Sequence, residues 1–358
     1  MRQSQRDGMT SRPSPGLLLC AGLLLATPAF AATQADREAC AAIADKPDVG
    51  RAACSRIIDD GREPVAERAK AHNNRGIASF GRHDYDAALA DHAAAIRLNA
   101  KDAVAYARRG MAWLEKGEFD RAIADITDAV TLDPKYAFGF GQRGHAHFRK
   151  RLITKKGGWA DAIADYSEAI RFDANLVWLY SARGVAYSNN RQYGMAVADC
   201  SEVVKREPKN AGGYNCLGVA YEGLKDYRRA IAAYDQSIRI NPRNGVAYWN
   251  RGNAYVALRK VDDAIADYDR AIAINPKDFN AFNSRGKAWV AKGDSNRAIT
   301  DFTQAIQFGP SYVEAYNNRG LSYEVLGRRA EAIADFRKAQ SIDPDDRVSK
   351  QQLRVFGF

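Results

Sequence analysis

The chain has 358 residues, is 46% hydrophobic and 27% charged, and holds only 11 prolines, which excludes an intrinsically disordered protein and leaves room for two domains or one extended array. Its formal net charge of +10 falls to about +8 once residues 1–31, with Arg2, Arg6 and Arg12 against Asp7, are set aside. That excess is diffuse and has no accompanying stripe of interleaved basic and aromatic residues, so it argues against a nucleic-acid partner.

The first predicted element is a leader. Arginines precede the apolar run Leu17 to Ala26, and Pro28-Ala29-Phe30-Ala31 comes after it with small residues at the positions a signal peptidase reads, so cleavage is expected after Ala31. The run is about half the ~20 residues needed to span a bilayer, and no other stretch approaches that length. The expectation is a soluble, exported chain without stable membrane insertion. Residues 32–68 come next, with two short helical stretches on either side of the turn "DKPD", and are expected to form an N-terminal cap on the fold that begins at residue 69.

Internal periodicity governs residues 69–346. Taking the glycine of each "RG" or "LG" pair as position 8 gives Gly76, Gly110, Gly144, Gly184, Gly218, Gly252, Gly286 and Gly320, spaced by 34 residues except for one step of 40. An alanine stands twelve residues after each glycine, displaced only in the third unit, and a proline closes six of the eight units. Each unit holds two stretches of helical apolar spacing separated by a turn such as "GEFD". Small residues at positions 8 and 20 let two antiparallel helices approach closely, and the proline ends the second.

This Gly, Ala, Pro skeleton, with an aromatic three residues after most of the glycines, resembles the tetratricopeptide repeat family, in particular exported bacterial members with "NRG" units such as Asn250-Arg251-Gly252. The resemblance implies an all-α, right-handed superhelical solenoid of antiparallel helix pairs. The units run 69–102, 103–136, 137–176, 177–210, 211–244, 245–278, 279–312 and 313–346, with a capping helix over 347–358 at the end.

Two pairings are expected within this frame. Arginine at position 7 and aspartate at position 23 recur together, and the one unit lacking the first, at Leu217, also lacks the second, at Ala233. Joint loss points to a bridge between the two helices of one unit, because removing one partner of a half-buried pair is costly while replacing both is nearly neutral. Among the cysteines, Cys40 and Cys54 are equidistant from Pro47, and Cys200 and Cys216 from Pro208. Residues at equal distance from a hairpin turn lie side by side, so in an exported chain the pairs Cys40–Cys54 and Cys200–Cys216 are candidate disulfides, with buried free thiols as the alternative.

Sequence motifs for catalysis are missing: there is no nucleophile elbow, phosphate loop or metal-ligand cluster, and no segment large enough for a catalytic domain lies outside the repeats. The expected function is therefore that of a non-catalytic scaffold or adaptor without a cofactor, holding a protein or peptide partner in the periplasm of a Gram-negative bacterium. The alternative is a polysaccharide-binding or assembly subunit of an envelope enzyme complex. In the family the concave face is lined from positions 2, 5, 6 and 9 of the first helix. Here these include Asn73, Asn74, Arg108, Gln142, Trp178, Asn215, Trp249, Asn250, Asn253, Asn283, Lys287, Asn317 and Asn318. Asparagines suit an extended backbone and tryptophans an apolar anchor or a sugar, though both also serve as ordinary solvated or packing positions. The lysines with which some members clamp a C-terminal carboxylate are absent, since position 5 reads Asn, Ala, Gly, Ser, Asn, Trp, Asn, Asn. A second candidate is the insertion in unit three, where Arg149, Lys150, Arg151, Lys155 and Lys156 are expected in the loop between helices.

Overall fold

The computed structural model describes residues 31–358; residues 1–30, which hold all but the last residue of the expected leader, lie outside it. The described residues form nineteen helices and no strand. An N-terminal hairpin, α1 (Gln34–Ala41) and α2 (Pro47–Asp59), precedes eight more. These are α3 (Val65–Gly81) with α4 (Tyr85–Leu98), α5 (Ala103–Glu115) with α6 (Phe119–Leu132), α7 (Ala137–Thr154) with α8 (Trp159–Phe172), and α9 (Val177–Asn189) with α10 (Tyr193–Arg206). The series continues with α11 (Ala211–Gly223) and α12 (Tyr227–Ile240), α13 (Gly245–Ala257) and α14 (Val261–Ile274), α15 (Phe279–Ala291) and α16 (Ser295–Phe308), then α17 (Val313–Val325) and α18 (Arg329–Ile342). A last helix, α19 (Arg347–Val355), buries Leu353 against Ala332 and Phe336 of unit 8. The first repeat helix starts at Val65, four residues ahead of the expected unit boundary, because Pro64 stands at its N-cap with the extended backbone that precedes a helix.

Local chemistry sets the turns. Position 15 takes a left-handed backbone in the seven units of ordinary length, with φ between 59° and 81° at His83, Gly117, Arg191, Lys225, Arg259, Gly293 and Gly327. Many second helices begin one residue later on a side-chain cap, as where Asp226 accepts from the Arg229 amide and Asp294 from the Arg297 amide. Inside each hairpin the glycine at position 8 lies under the side chain at position 24. A Cβ on Gly252 would fall 2.7 Å from the Tyr268 ring, and one on Gly286 2.6 Å from Phe302. The alanine at position 20 is fully buried in all eight units.

The expected Arg–Asp bridge is present in all seven units that carry its residues. Arg75, Arg109, Arg143, Arg183, Arg251, Arg285 and Arg319 each donate two forked N–H groups, at 2.6–3.1 Å, to Asp91, Asp125, Asp165, Asp199, Asp267, Asp301 and Asp335. The remaining nitrogen, Nη1, reaches back to position 25 of the preceding unit: Ser167 from Arg183, Asp235 from Arg251, Asp269 from Arg285 and Thr303 from Arg319. Each such arginine therefore holds three helices. Replacing Asp267 by Ala leaves a half-buried guanidinium without its main partner and should cost about 2–3 kcal/mol, below the range for a fully buried pair. In the double variant Arg251→Leu/Asp267→Ala most of that loss should return, by analogy with Leu217 and Ala233; strictly additive single effects in urea titrations would refute the coupling.

Candidate functional site

Successive first helices of the units touch one another, whereas successive second helices do not, so the stack curves with the first helices on its inner side. Three adjoining hollows run along that face from unit 4 to unit 8. One, of about 370 Å³, is lined by Ser188, Asn189, Tyr193, Val219, Glu222, Gly223, Trp249, Asn250 and Asn253. The next, of about 380 Å³, shares Asn253 and adds Val256, Ala257, Val261, Tyr268, Ser284, Lys287, Ala288 and Ala291. The third, of about 330 Å³, shares Lys287 and Ala291 and continues over Val290, Ser295, Phe302, Asn318, Leu321, Ser322 and Val325. On this face Val290 is 45% and Val325 74% exposed.

The predicted lining residues divide into two groups. Several asparagines are spent on the solenoid itself: Asn74 donates to the Cys40 carbonyl, Asn250 to Asn215 Oδ1 at 3.2 Å, and Asn318 to Asn283 Oδ1 at 3.0 Å, tying neighbouring first helices across 34 or 35 residues. Asn283 in turn donates to the Tyr312 hydroxyl, and buried Asn317 donates to Asp346 ahead of α19. Asn253 accepts from the Tyr268 hydroxyl at 2.7 Å and still lines two hollows. Trp249 is half-buried, its Nε1 donating to Ser284 Oγ at 3.0 Å, which fixes the ring at the hollow's edge. Trp178 lies over Gly141 of the preceding unit, and Arg108 rests over the Phe138 ring; Gln142 is half-buried. Lys287 is exposed and pairs with Glu314 at 3.0 Å. Positions 12 and 13, with Glu222, Val256, Val290, Ala257, Ala291 and Val325, supply lining that the expected set of positions leaves out; their signal was aliphatic residues recurring one turn past the predicted face.

The basic segment of unit 3 differs from expectation. With no breaker before Gly157-Gly158, the insertion prolongs the first helix to Thr154, so Arg149, Lys150 and Arg151 are helical and only Lys155 and Lys156 lie in the turn. Arg149 pairs with Glu115 at 2.8 Å, Lys150 with Asp120 at 2.6 Å, and Arg151 donates to the Lys155 carbonyl. Most of that positive charge is thus neutralised by unit 2 or turned onto its own helix end. The cysteines pair as expected, with sulfurs at bonding distance and Cα atoms 4.9 Å apart for Cys40–Cys54 and 5.8 Å for Cys200–Cys216. Among the described residues, no helix is long and apolar enough to cross a membrane, and no group of three or more His, Cys, Asp or Glu side chains is placed to hold a metal ion.

Against this geometry, tetratricopeptide repeat family models match residues 73–137, 181–245, 217–279 and 313–346, and a further model of the same repeat matches 152–190 and 286–327. Together they span most of the chain, which belongs to the tetratricopeptide repeat family. A crystal structure of a tetratricopeptide repeat protein from Parabacteroides merdae is 18% identical, with 72% of this chain and 98% of that one covered at a TM-score of 0.58, and shares the solenoid. MamA is 26% identical over 45% of this chain and 94% of that one at a TM-score of 0.42. YrrB, described as a TPR protein with an unusual peptide-binding site, is 21% identical over 53% of this chain and 97% of that one, also at 0.42. No curated protein matches the chain.

At the other end of the array, Asn73 faces inward and pairs with His92, which takes the position-24 place held by tyrosine or phenylalanine in five of the other units, by Ile126 in unit 2 and by Cys200 in unit 4. His92 is fully buried with Nε2 unpartnered, and burial, together with the nearby Arg108 charge, pushes its pKa down from 6.5 to about 4. Because the folded value lies below the unfolded one, only the unfolded chain takes up the proton between these values. Stability is therefore fully present above about pH 6.5 and falls as pH drops toward 4. From pH 7 to pH 5 the loss should be about 2 kcal/mol, and His92→Phe should remove it; an unchanged pH slope in paired urea titrations would contradict the assignment.

Proposed function

We propose that this protein is a non-catalytic scaffold or adaptor of the bacterial cell envelope that holds an extended peptide segment of a protein partner along the inner face of units 4–8. The observation that carries the reading is the unbroken run of three hollows, each sharing lining residues with the next, with aliphatic side chains left exposed on its floor. A single pocket suits a small molecule, whereas a trough of repeated hollows on stacked helices matches alternate side chains of an extended chain. The floor at units 7 and 8, built from Phe302, Val290, Leu321 and Val325, suits aliphatic groups better than sugar hydroxyls and favours a peptide over a polysaccharide.

Export to the periplasm of a Gram-negative bacterium is supported by the leader-like residues 1–31, by the "NRG" units, and by two cysteine pairs at bonding distance, an arrangement suited to an oxidising compartment. A photoreactive residue in place of Val290 should crosslink to a partner in intact cells, while one in place of Arg239 on the outer helix α12 should not. Val290→Asp should weaken that partner's binding about tenfold without altering the helical circular dichroism signal, since it desolvates a charge against an apolar floor. Equal labelling at both positions, or full binding by Val290→Asp, would reject the groove.

A further inference from the structure

The hollow bounded by units 4 to 6 differs chemically from its two neighbours along the groove. Glu222, the penultimate residue of α11, lines it, half-buried, and accepts a hydrogen bond of 2.9 Å from the Tyr234 hydroxyl. Among the described residues the carboxylate makes no ion pair, and its one side-chain hydrogen bond comes from the neutral Tyr234 hydroxyl. Trp249 forms another part of the wall, already anchored through Nε1, and the Ser188 hydroxyl lines the same space, buried and without a hydrogen-bond partner. A carboxylate, an oriented indole and an unpaired hydroxyl thus converge on one hollow, with the amides of Asn189 and Asn253 at its rim.

We propose that this hollow is a subsite for a basic side chain, arginine above lysine, of the extended segment held in the groove. The proposal rests on the groove reading and names the chemistry of one of its subsites. A guanidinium can donate to the Glu222 carboxylate and the Ser188 oxygen at once while its flat face meets the Trp249 ring, an arrangement an ammonium satisfies only in part. A negative charge held half out of water with a single neutral donor is a poor endpoint for folding but a good starting point for binding, because the arriving cation supplies the missing counter-charge. Burial accordingly raises the Glu222 pKa despite the Tyr234 hydrogen bond, and a bound cation would lower it again. Two hollows further on, Phe302, Val290, Leu321 and Val325 give a floor that takes an aliphatic side chain, and no carboxylate lines it. The groove therefore reads a basic and an apolar residue separated by one intervening subsite.

The test uses the chain comprising residues 32–358 and a positional-scanning library of N-acetylated, C-amidated decapeptides, whose blocked ends remove terminal charges. The expected result is selection of arginine, then lysine, at one position and of leucine, isoleucine, valine or methionine at another. Replacing the selected arginine by isosteric, neutral citrulline should lower affinity about tenfold or more. Glu222→Gln, which keeps the Tyr234 contact, should erase the difference between arginine and citrulline while leaving the aliphatic preference intact. Peptides that bind and are weakened by Val290→Asp, yet show no basic preference or an arginine preference unaffected by Glu222→Gln, overturn the subsite and leave the groove standing. Failure of every library member to bind overturns both.

Discussion

The solenoid depends on one side chain used seven times. Arginine at position 7 presents a planar fork that matches a carboxylate with two parallel hydrogen bonds, and its third nitrogen remains available in the opposite direction. The fork closes the hairpin of its own unit, and in every case but Arg109, where position 25 of the preceding unit is Ala93, the free nitrogen fastens that hairpin to the second helix before it. Because the aspartates are nearly buried, the arrangement is polar but costly to break, which links the register of each unit to the register of the next. Lysine would supply the charge without this geometry.

Unit 5 shows what the array does without the fork. Leu217 and Ala233 remove both charges together, so no orphan is left. The connections that the arginine would have made are replaced by others: Cys216 pairs with Cys200 of unit 4, and Asn244 of the next turn donates to Ser237, which donates to the Ala211 carbonyl. The first helices α9 and α11 pack more extensively than any other successive pair of first helices, and Gly184 lies against both sulfurs. The N-terminal hairpin obeys the same design. Arg75 reaches Ser55 of α2 as Arg183 reaches Ser167 of α8, so Cys54, immediately before Ser55, occupies the register of Tyr166. Both disulfides thus place a cysteine where other units carry a large side chain, and the covalent bond takes over the space-filling role.

The parts of the fold that were legible in the sequence are those that repeat. Eight copies in one chain serve as their own comparison, so the glycine at position 8, the alanine at position 20 and the Arg–Asp pair could be assigned from co-occurrence alone. The basic insertion is illegible for the converse reason: it occurs once, and nothing in "RKRLITKK" distinguishes a loop from a helix that simply continues until the first glycine. The groove was half legible. Positions 5 and 6 do turn inward, but there they meet the neighbouring first helix, and asparagines 35 residues apart satisfy each other. Only distances between units, invisible to a pattern within one unit, separate a side chain spent on packing from one left for a ligand. Val256 and Val290 are hidden in the sequence because an aliphatic residue at helical spacing reads as core.

Position 24 then connects stability with recognition. Its side chain lies beneath the position-8 glycine and extends through the hairpin toward the inner face. In units 5 and 6, where it is tyrosine, the hydroxyl emerges under the groove and finds a polar partner, Glu222 for Tyr234 and Asn253 for Tyr268. Where it is phenylalanine, as at Phe302, the floor stays apolar and is surrounded by Val290, Leu321 and Val325. Substituting one ring for the other hardly changes the packing volume but changes which groups can be satisfied on the surface above. The array can therefore vary the chemistry along its groove, one unit at a time, by altering a single buried atom per unit without disturbing the arginine fork that holds the units in register.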